Sequence, residues 1–212
     1  MPEVSGGDCV SAWQAAVRHV RASHGKAFNL VITVEHPTLL VPAWMVDYNP
    51  RRIVPSADNI RDVVNTVFPY RLAGRCRSRP ELYDSYLRAY ERGRHLSRNR
   101  GAWGTYFQRL IRFGADPTTN QLERAIEKLA TWNHRVTTGL VFHPSSPALD
   151  SPRTRGGPCW QFGELLWHAG DIVDFLVVYR NHDYFNQGLG NLIALGKLLQ
   201  FICDNAHKRP AS

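Results

Sequence analysis

The stretch from Cys159 to Arg180, CWQFGELLWHAGDIVDFLVVYR, decides the fold. It divides into two extended runs, CWQFGELLWH and DIVDFLVVYR, which are separated by Ala169-Gly170. β-Branched and aromatic residues favour strands, and a short break with glycine between two such runs is typical of a hairpin. The sequence therefore predicts two neighbouring antiparallel strands in the C-terminal half of the chain.

Two helices are predicted in the first half of the chain. The first carries apolar residues at helical spacing from Val10 to Val20, and Gly25 is placed to end it. The second is expected to begin at a cap formed by Asp58 and to run through Phe68.

Two more helices are predicted in the second half of the chain. Asn120 followed by Glu123 has the pattern of an N-terminal capping box, and the apolar positions after it repeat at helical spacing as far as Trp132. From Asn191 to Ala206, leucine and isoleucine recur every three or four positions, which is typical of a buried helix.

Two further strands complete the predicted secondary structure, over residues 26–36 (KAFNLVITVEH) and 136–142 (VTTGLVF). Helices and strands alternate without a regular βαβ rhythm, which favours an α+β fold with a mainly antiparallel or mixed sheet. The length fits a single domain over residues 1–212. The apolar runs are far shorter than the roughly 20 residues of a membrane span, and the N-terminal residues show no leader pattern. We therefore expect a cytoplasmic protein.

The charge of the chain is strongly basic, at +8, and 22 of its 26 basic residues are arginine. The guanidinium fork suits phosphate and carboxylate ligands, although the codon composition of a genome explains such a bias equally well. Residues 71–100 hold nine arginines among apolar positions at helical spacing, as a nucleic-acid-binding segment would. Acidic residues interrupt this charge and no nucleic-acid-binding motif accompanies it, which favours a solvated helix face.

The four cysteines, Cys9, Cys76, Cys159 and Cys203, have neither disulfide-rich nor zinc-type spacing and are interpreted as reduced thiols. Cys159 differs from the others because it lies between a glycine-rich loop and a predicted strand. A thiol held there by rigid backbone is a candidate nucleophile, and a small buried apolar side chain is the alternative.

A set of motifs follows Cys159 in a fixed order. The hairpin ends in Arg180, which begins the pattern Arg-x-x-Asp-x-Phe, and Asn191 opens the last helix. Residues 100–107 read Arg-Gly-Ala-Trp-Gly-Thr-Tyr-Phe, and residues 133–136 read Asn-His-Arg-Val. Together these motifs resemble the thymidylate synthase family and the related pyrimidine C5-hydroxymethylases. The resemblance covers residues 100–205 best, and it implies that family's fold, with the sheet at the interface of a symmetric homodimer.

The resemblance implies an enzyme that modifies C5 of a pyrimidine nucleotide monophosphate by one-carbon transfer, after Cys159 has attacked C6. A thiolate suits that addition, because C5 is a poor nucleophile until a group adds to C6. Asn191 would donate to O4 and accept from N3–H, which favours uracil over cytosine. Arg180 would hold the phosphate and lower the pKa of the thiol. Arg135 would reach the phosphate of the other subunit.

Other residues take their expected roles from the resemblance alone. Gln161 would help to order the nucleotide, and Asn181 belongs to the same substrate-binding strand end as Arg180. Asp183 would face the pterin of 5,10-methylenetetrahydrofolate, the expected one-carbon donor. A local surface ion pair between Arg180 and Asp183 is the alternative interpretation of those two residues.

Three departures separate the chain from that family. Asn65 and Thr66 stand where a glutamate organises proton transfer. Trp103 takes the catalytic position of a tyrosine, and an indole donates a hydrogen bond but cannot act as a hydroxyl does. Neither a sugar-binding His-x-Tyr pair nor a folate-closing tail follows the last helix, so we expect different sugar and folate recognition. The alternative function is therefore a non-catalytic or altered-chemistry nucleotide-binding protein that keeps the phosphate site.

Overall fold

The computed structural model describes residues 1–39, 41–42, 45, 58–93, 103–114, 119–132, 139–152 and 157–211. The helices are α1 (Cys9–Ala22), α2 (Ile60–Val67), α3 (Tyr70–Ala73), α4 (Arg79–Gly93), α5 (Tyr106–Ile111), α6 (Gln121–Thr131), α7 (Pro147–Asp150) and α8 (Leu189–Ala206), with a π-helix at Tyr184–Gly188. The strands are β1 (Glu3–Gly6), β2 (Val31–Val34), β3 (Val141–Phe142), β4 (Trp160–His168), β5 (Ile172–Tyr179) and β6 (Arg209–Pro210).

The strands form a four-stranded mixed sheet and a two-stranded sheet. The larger sheet has the order β3-β4-β5-β6, in which β5 and β6 are parallel and the other pairs are antiparallel. The predicted hairpin is confirmed as β4 and β5, and Gly170 and Asp171 turn the chain with φ values of 77° and 61°. The α+β class with a mixed sheet is also confirmed. The parallel pair of β1 with β2 includes a strand, β1, that the sequence analysis did not predict.

The core is organised around α8, which contacts α1, α2, α6, the π-helix and β6. Its buried residues include Ile193, Leu198 and Ile202, and they pack in one cluster with Trp160 and Leu165 from the inner face of the sheet. Burial of these apolar side chains is the main favourable contribution to folding. The helix thereby fixes the end of β5 and the residues that join it to α8.

Helix caps agree with the sequence at one helix and differ at another. Asn120 caps α6 as predicted, accepting a hydrogen bond from the backbone N–H of Glu123. The prediction that Asp58 caps α2 is wrong. Asn59 caps that helix through the N–H of Arg61, because it directly precedes the first helical residue in an extended conformation.

The arginine-rich segment is helical from Arg79 to Gly93, as its spacing indicated, and residues 94–100 lie outside the described residues. Arg79 at its start is ion-paired with Glu123 at 2.7 Å, and so it serves to join α4 to α6. The strand predicted over 26–36 is limited to β2, and in 136–142 the described strand is β3. In the part of the chain described here, no helix has the length and apolar character that a membrane crossing requires.

Candidate functional site

Cys159 lies at the start of β4, partly exposed, immediately before the buried Trp160. Its backbone N–H donates to the hydroxyl of Tyr106 at 2.9 Å, and the N–H of Trp160 donates to the same oxygen at 3.2 Å. The carbonyl of Cys159 accepts from the N–H of Arg180 at 2.9 Å. The thiol is therefore carried by backbone that is fixed on both sides, and Tyr106, which the sequence analysis did not single out, is one of the groups that fix it.

The acidity of Cys159 depends on two opposing effects. Burial raises the pKa of its thiol above the ordinary value, and the charge of Arg180 offsets that rise only in part, so the expected net lowering of the pKa by Arg180 is not found. Arg180 is exposed, and its one side-chain hydrogen bond to described residues runs from Nε to the Pro158 carbonyl at 3.1 Å. Its terminal NH₂ groups make no hydrogen bond to the described residues.

An aromatic cluster surrounds this position. The ring of Tyr106 lies 6.2 Å from that of Tyr179, and Tyr179 is stacked on His182 with centroids 4.7 Å apart. The Tyr179 hydroxyl is buried and has no hydrogen-bond partner among the described residues. Burial raises the pKa of Tyr106 to about 12 and holds that of Tyr179 well above its usual value, so both are neutral phenols.

Asn191 joins the cluster from the first turn of α8. It is 4% exposed, and its Nδ2 lies 2.8 Å from Nε2 of His182, so the imidazole nitrogen accepts from the amide. Burial lowers the pKa of His182 to about 4, and the ring is therefore neutral near pH 7. A continuous series of contacts thus runs from Cys159 through Tyr106, Tyr179 and His182 to Asn191.

Trp103 and Gln161 both lie near Cys159: Trp103 contacts Tyr106, and Gln161 contacts the backbone of Pro158. The Trp103 ring is 5.1 Å from that of Tyr106, one aromatic ring away from Cys159. Gln161 is the extra residue of an irregularity in β4, between the pairs that Trp160 and Phe162 make with β5. Its Nε2 donates to the Pro158 carbonyl at 2.6 Å, so its amide supports the loop before Cys159.

Asp183 and Asn181 lie at a cavity of ≈ 300 Å³ beside the cluster. Asp183 caps the π-helix: Oδ1 accepts from the N–H of Phe185 and of Asn186, each at 3.1 Å, and Oδ2 accepts from Nδ2 of Asn186. Lys26, from the loop between α1 and β2, lines the same cavity and supplies a cation that the sequence analysis missed. Arg135 lies outside the described residues.

A larger cavity of ≈ 440 Å³ lies on the other side of α8, between that helix and the segment from Tyr70 to Leu82. Lys197 lines it, with Nζ 4.5 Å from the centre of the Tyr70 ring. Cys76 and the buried Cys9 also line it, but none of the predicted site residues that the structure describes does.

The chain matches no protein-family model, and no curated protein is significantly similar to it. Within the described ranges there is also no group of three or more histidine, cysteine and acidic side chains placed to hold a metal ion. The arrangement around Cys159 is therefore the feature from which a function can be proposed. It combines a partly exposed thiol, an available guanidinium group and a buried amide, the three groups that Cys159, Arg180 and Asn191 were predicted to supply.

Proposed function

We propose that the chain is a thymidylate-synthase-like enzyme, in which Cys159 adds to C6 of a uracil nucleotide so that C5 can accept a one-carbon unit. The observation that carries the proposal is that Cys159, Arg180 and Asn191, distant in sequence, belong to one cluster. A packed site without access for a ligand would contradict it, and Cys159 is instead partly exposed.

The reaction requires a nucleophile for C6, a hydrogen-bond donor to O4 and a cationic group that binds the phosphate. The thiolate forms a bond to C6, and the electron pair of the C5–C6 double bond moves toward C5 and O4. The amide of Asn191 donates to O4, where negative charge develops. Arg180, with Lys26 across the neighbouring cavity, holds the phosphate, and Arg135 of a second subunit completes that site.

The one-carbon donor of this proposal is 5,10-methylenetetrahydrofolate, which would supply the carbon that C5 acquires. Asp183 at the rim of the smaller cavity and the Phe185 ring, 52% exposed, are the residues that would hold its pterin. The carboxylate of Asp183 already caps the π-helix, and this fixes the position of that carboxylate.

The test of the proposed function is release of tritium from C5 of a labelled nucleotide, which requires no folate. Addition of Cys159 to C6, protonation at C5, loss of the original proton and departure of the thiolate together exchange one hydrogen and regenerate the nucleotide. We expect release from UMP or dUMP at least about tenfold faster than from CMP, because the exocyclic amine of cytosine replaces the acceptor that Asn191 requires. No release from any of the three would contradict the proposal.

The alternative is a nucleotide-binding protein without catalysis. The observation that favours it is the hydrogen bond between Asn191 and His182, which occupies the amide in this structure. Equilibrium binding of UMP without any release of C5 tritium would support the alternative. Binding together with release would exclude it.

A homodimer is the second part of the proposal, formed through the outer face of the larger sheet. Leu176 and Val178 on β5 are 48% and 45% exposed, and Phe162 and Leu166 are half-buried on the neighbouring strand. These four residues share the face with Glu164, opposite Leu176, and Asp174, opposite Leu166. Exposed apolar positions of this kind on a sheet fit a two-fold interface, in which each residue meets the same patch of the other subunit.

Leu176→Asp is expected to raise the dissociation constant of that dimer at least about tenfold, because it brings two like charges into an apolar contact. Leu149→Asp is the matched control, since Leu149 on α7 is similarly exposed, at 50%, but lies outside the sheet. Sedimentation equilibrium measures both variants. Equal dissociation constants for Leu176→Asp and the unsubstituted protein would contradict the proposed interface.

A further inference from the structure

The proposed reaction needs a group that carries a proton to and from C5, and the predicted site residues supply none apart from Asp183, whose carboxylate is occupied in capping the π-helix. Trp103 has only an N–H donor, and the position of the expected glutamate holds Asn65 and Thr66. We propose that the hydroxyl of Tyr179 is this group. The inference rests on the proposed function and adds a catalytic residue to it.

Tyr179 is held rigidly on the strand that pairs with the start of β4, next to Cys159. It ends β5, directly before Arg180, and pairs across the hairpin with Trp160, the residue after Cys159. Its ring lies between those of Trp160, at 6.4 Å and 21°, and His182, at 4.7 Å and 20°. Two stacked neighbours leave the ring little freedom to rotate, so the position of the hydroxyl is fixed.

The hydroxyl itself is the unusual feature. It is buried without a hydrogen-bond partner among the described residues, although a buried hydroxyl normally finds one. The Tyr179 ring lies 6.2 Å from that of Tyr106, and Tyr179 pairs with Trp160, the residue that follows Cys159. A buried polar group that is left unpaired next to a candidate nucleophile is explained if its partner arrives with the substrate.

Tyr106 and His182, the other candidate proton carriers of the cluster, already take part in hydrogen bonds. The oxygen of Tyr106 accepts from the N–H groups of Cys159 and Trp160, so it holds the backbone of the nucleophile in place. His182 receives a hydrogen bond at Nε2 from Asn191. The hydroxyl of Tyr179, by contrast, makes no hydrogen bond to any described residue.

The step that we assign to Tyr179 exchanges the hydrogen at C5 for that of the phenol, which then exchanges its newly acquired hydrogen with water, and every other atom returns to its starting place. After the sulfur has bonded to C6, the phenol gives its proton to C5, and the electron pair of its O–H bond stays on the oxygen. The phenolate then removes the proton that C5 carried at the start. The electrons of that C–H bond restore the C5–C6 double bond as the sulfur leaves with the pair of the C6–S bond.

Tyr179→Phe tests the assignment because it removes one oxygen and no hydrogen bond to a described residue. We expect the variant to fold with unchanged or higher stability, to bind UMP with an unchanged dissociation constant, and still to bond Cys159 to a 5-fluoro pyrimidine nucleotide. We expect tritium release from C5 to fall about 100-fold or more, since a general acid–base group contributes that much.

Tyr83→Phe is the matched control. Its hydroxyl donates to Glu123 at 2.7 Å, away from Cys159, so the variant should lose stability and keep the rate of release. If Tyr179→Phe releases tritium within twofold of the unsubstituted protein, the assignment is wrong and the proposed function stands. If the unsubstituted protein itself releases none, the proposed function fails, and the role of Tyr179 fails with it.

Discussion

Cys159→Ala is expected to reduce the release of C5 tritium at least about 1000-fold, because no other group in the cluster can form the bond to C6. The side chain is partly exposed, and its backbone hydrogen bonds to Tyr106 and Arg180 do not involve the sulfur. The variant should therefore fold as the unsubstituted protein does. The measurement is the initial rate of tritium release from labelled UMP and dUMP at saturating nucleotide.

Cys76→Ala is the control for this substitution. Cys76 is also a partly exposed free thiol, but it lines the larger cavity on the other side of α8. Its removal should leave the rate within about twofold, the range expected for a substitution outside the site. If Cys159→Ala retained a tenth or more of the original rate, the sulfur would not be the nucleophile.

Arg109→Met is expected to lower the free energy of unfolding by about 3–5 kcal/mol, the cost of breaking a buried ion pair by removing one partner. Arg109 is 2% exposed, and its two terminal nitrogens contact the carboxylate of Asp150 at 2.7 and 2.8 Å. Its Nε donates to the Trp103 carbonyl at 2.7 Å, and its Nη1 also donates to the Pro144 carbonyl at 2.9 Å. The substitution removes the guanidinium donors from the Trp103 and Pro144 carbonyls and from the Asp150 carboxylate, which still accepts from the N–H of Ser146 at 2.8 Å.

The measurement for this prediction is urea denaturation followed by circular dichroism. Arg112→Met is the control, because Arg112 is the C-cap of the same helix and its side chain is exposed. It should change the free energy of unfolding by no more than about 0.5 kcal/mol. A loss below about 1 kcal/mol for Arg109→Met would show that the ion pair does not hold α5, α7 and the Trp103 carbonyl together.

The sequence predicted correctly those elements that depend on the order of neighbouring residues along the chain. The hairpin of β4 and β5 follows from strand-forming residues on either side of Ala169-Gly170, and the cap at Asn120 follows from its place before an amphipathic helix. Asp58 and Asn59 show the limit of such reasoning. Both side chains can cap, and the choice depends on which residue is extended where the helix begins.

The cluster around Cys159 was predicted only in part, because long-range contacts assemble it. Cys159, Arg180 and Asn191 carry motif signals in the sequence. Tyr106 lies in the motif segment of residues 100–107, but that motif does not indicate its role, which depends on a hydrogen bond to a backbone 53 residues away along the chain. Tyr179 looks like one more inward-facing strand residue, and only the packing of the aromatic rings shows that its hydroxyl is buried without a partner.

The central claim is that the sulfur of Cys159 forms a bond to a pyrimidine ring. The most direct test is the intact mass of the protein after incubation with 5-fluoro-UMP or 5-fluoro-dUMP, with and without 5,10-methylenetetrahydrofolate, followed by peptide mapping. We expect one nucleotide per chain, attached to the peptide that contains Cys159 and absent from Cys159→Ala. An unchanged mass under all these conditions, or attachment to another cysteine, would contradict the account.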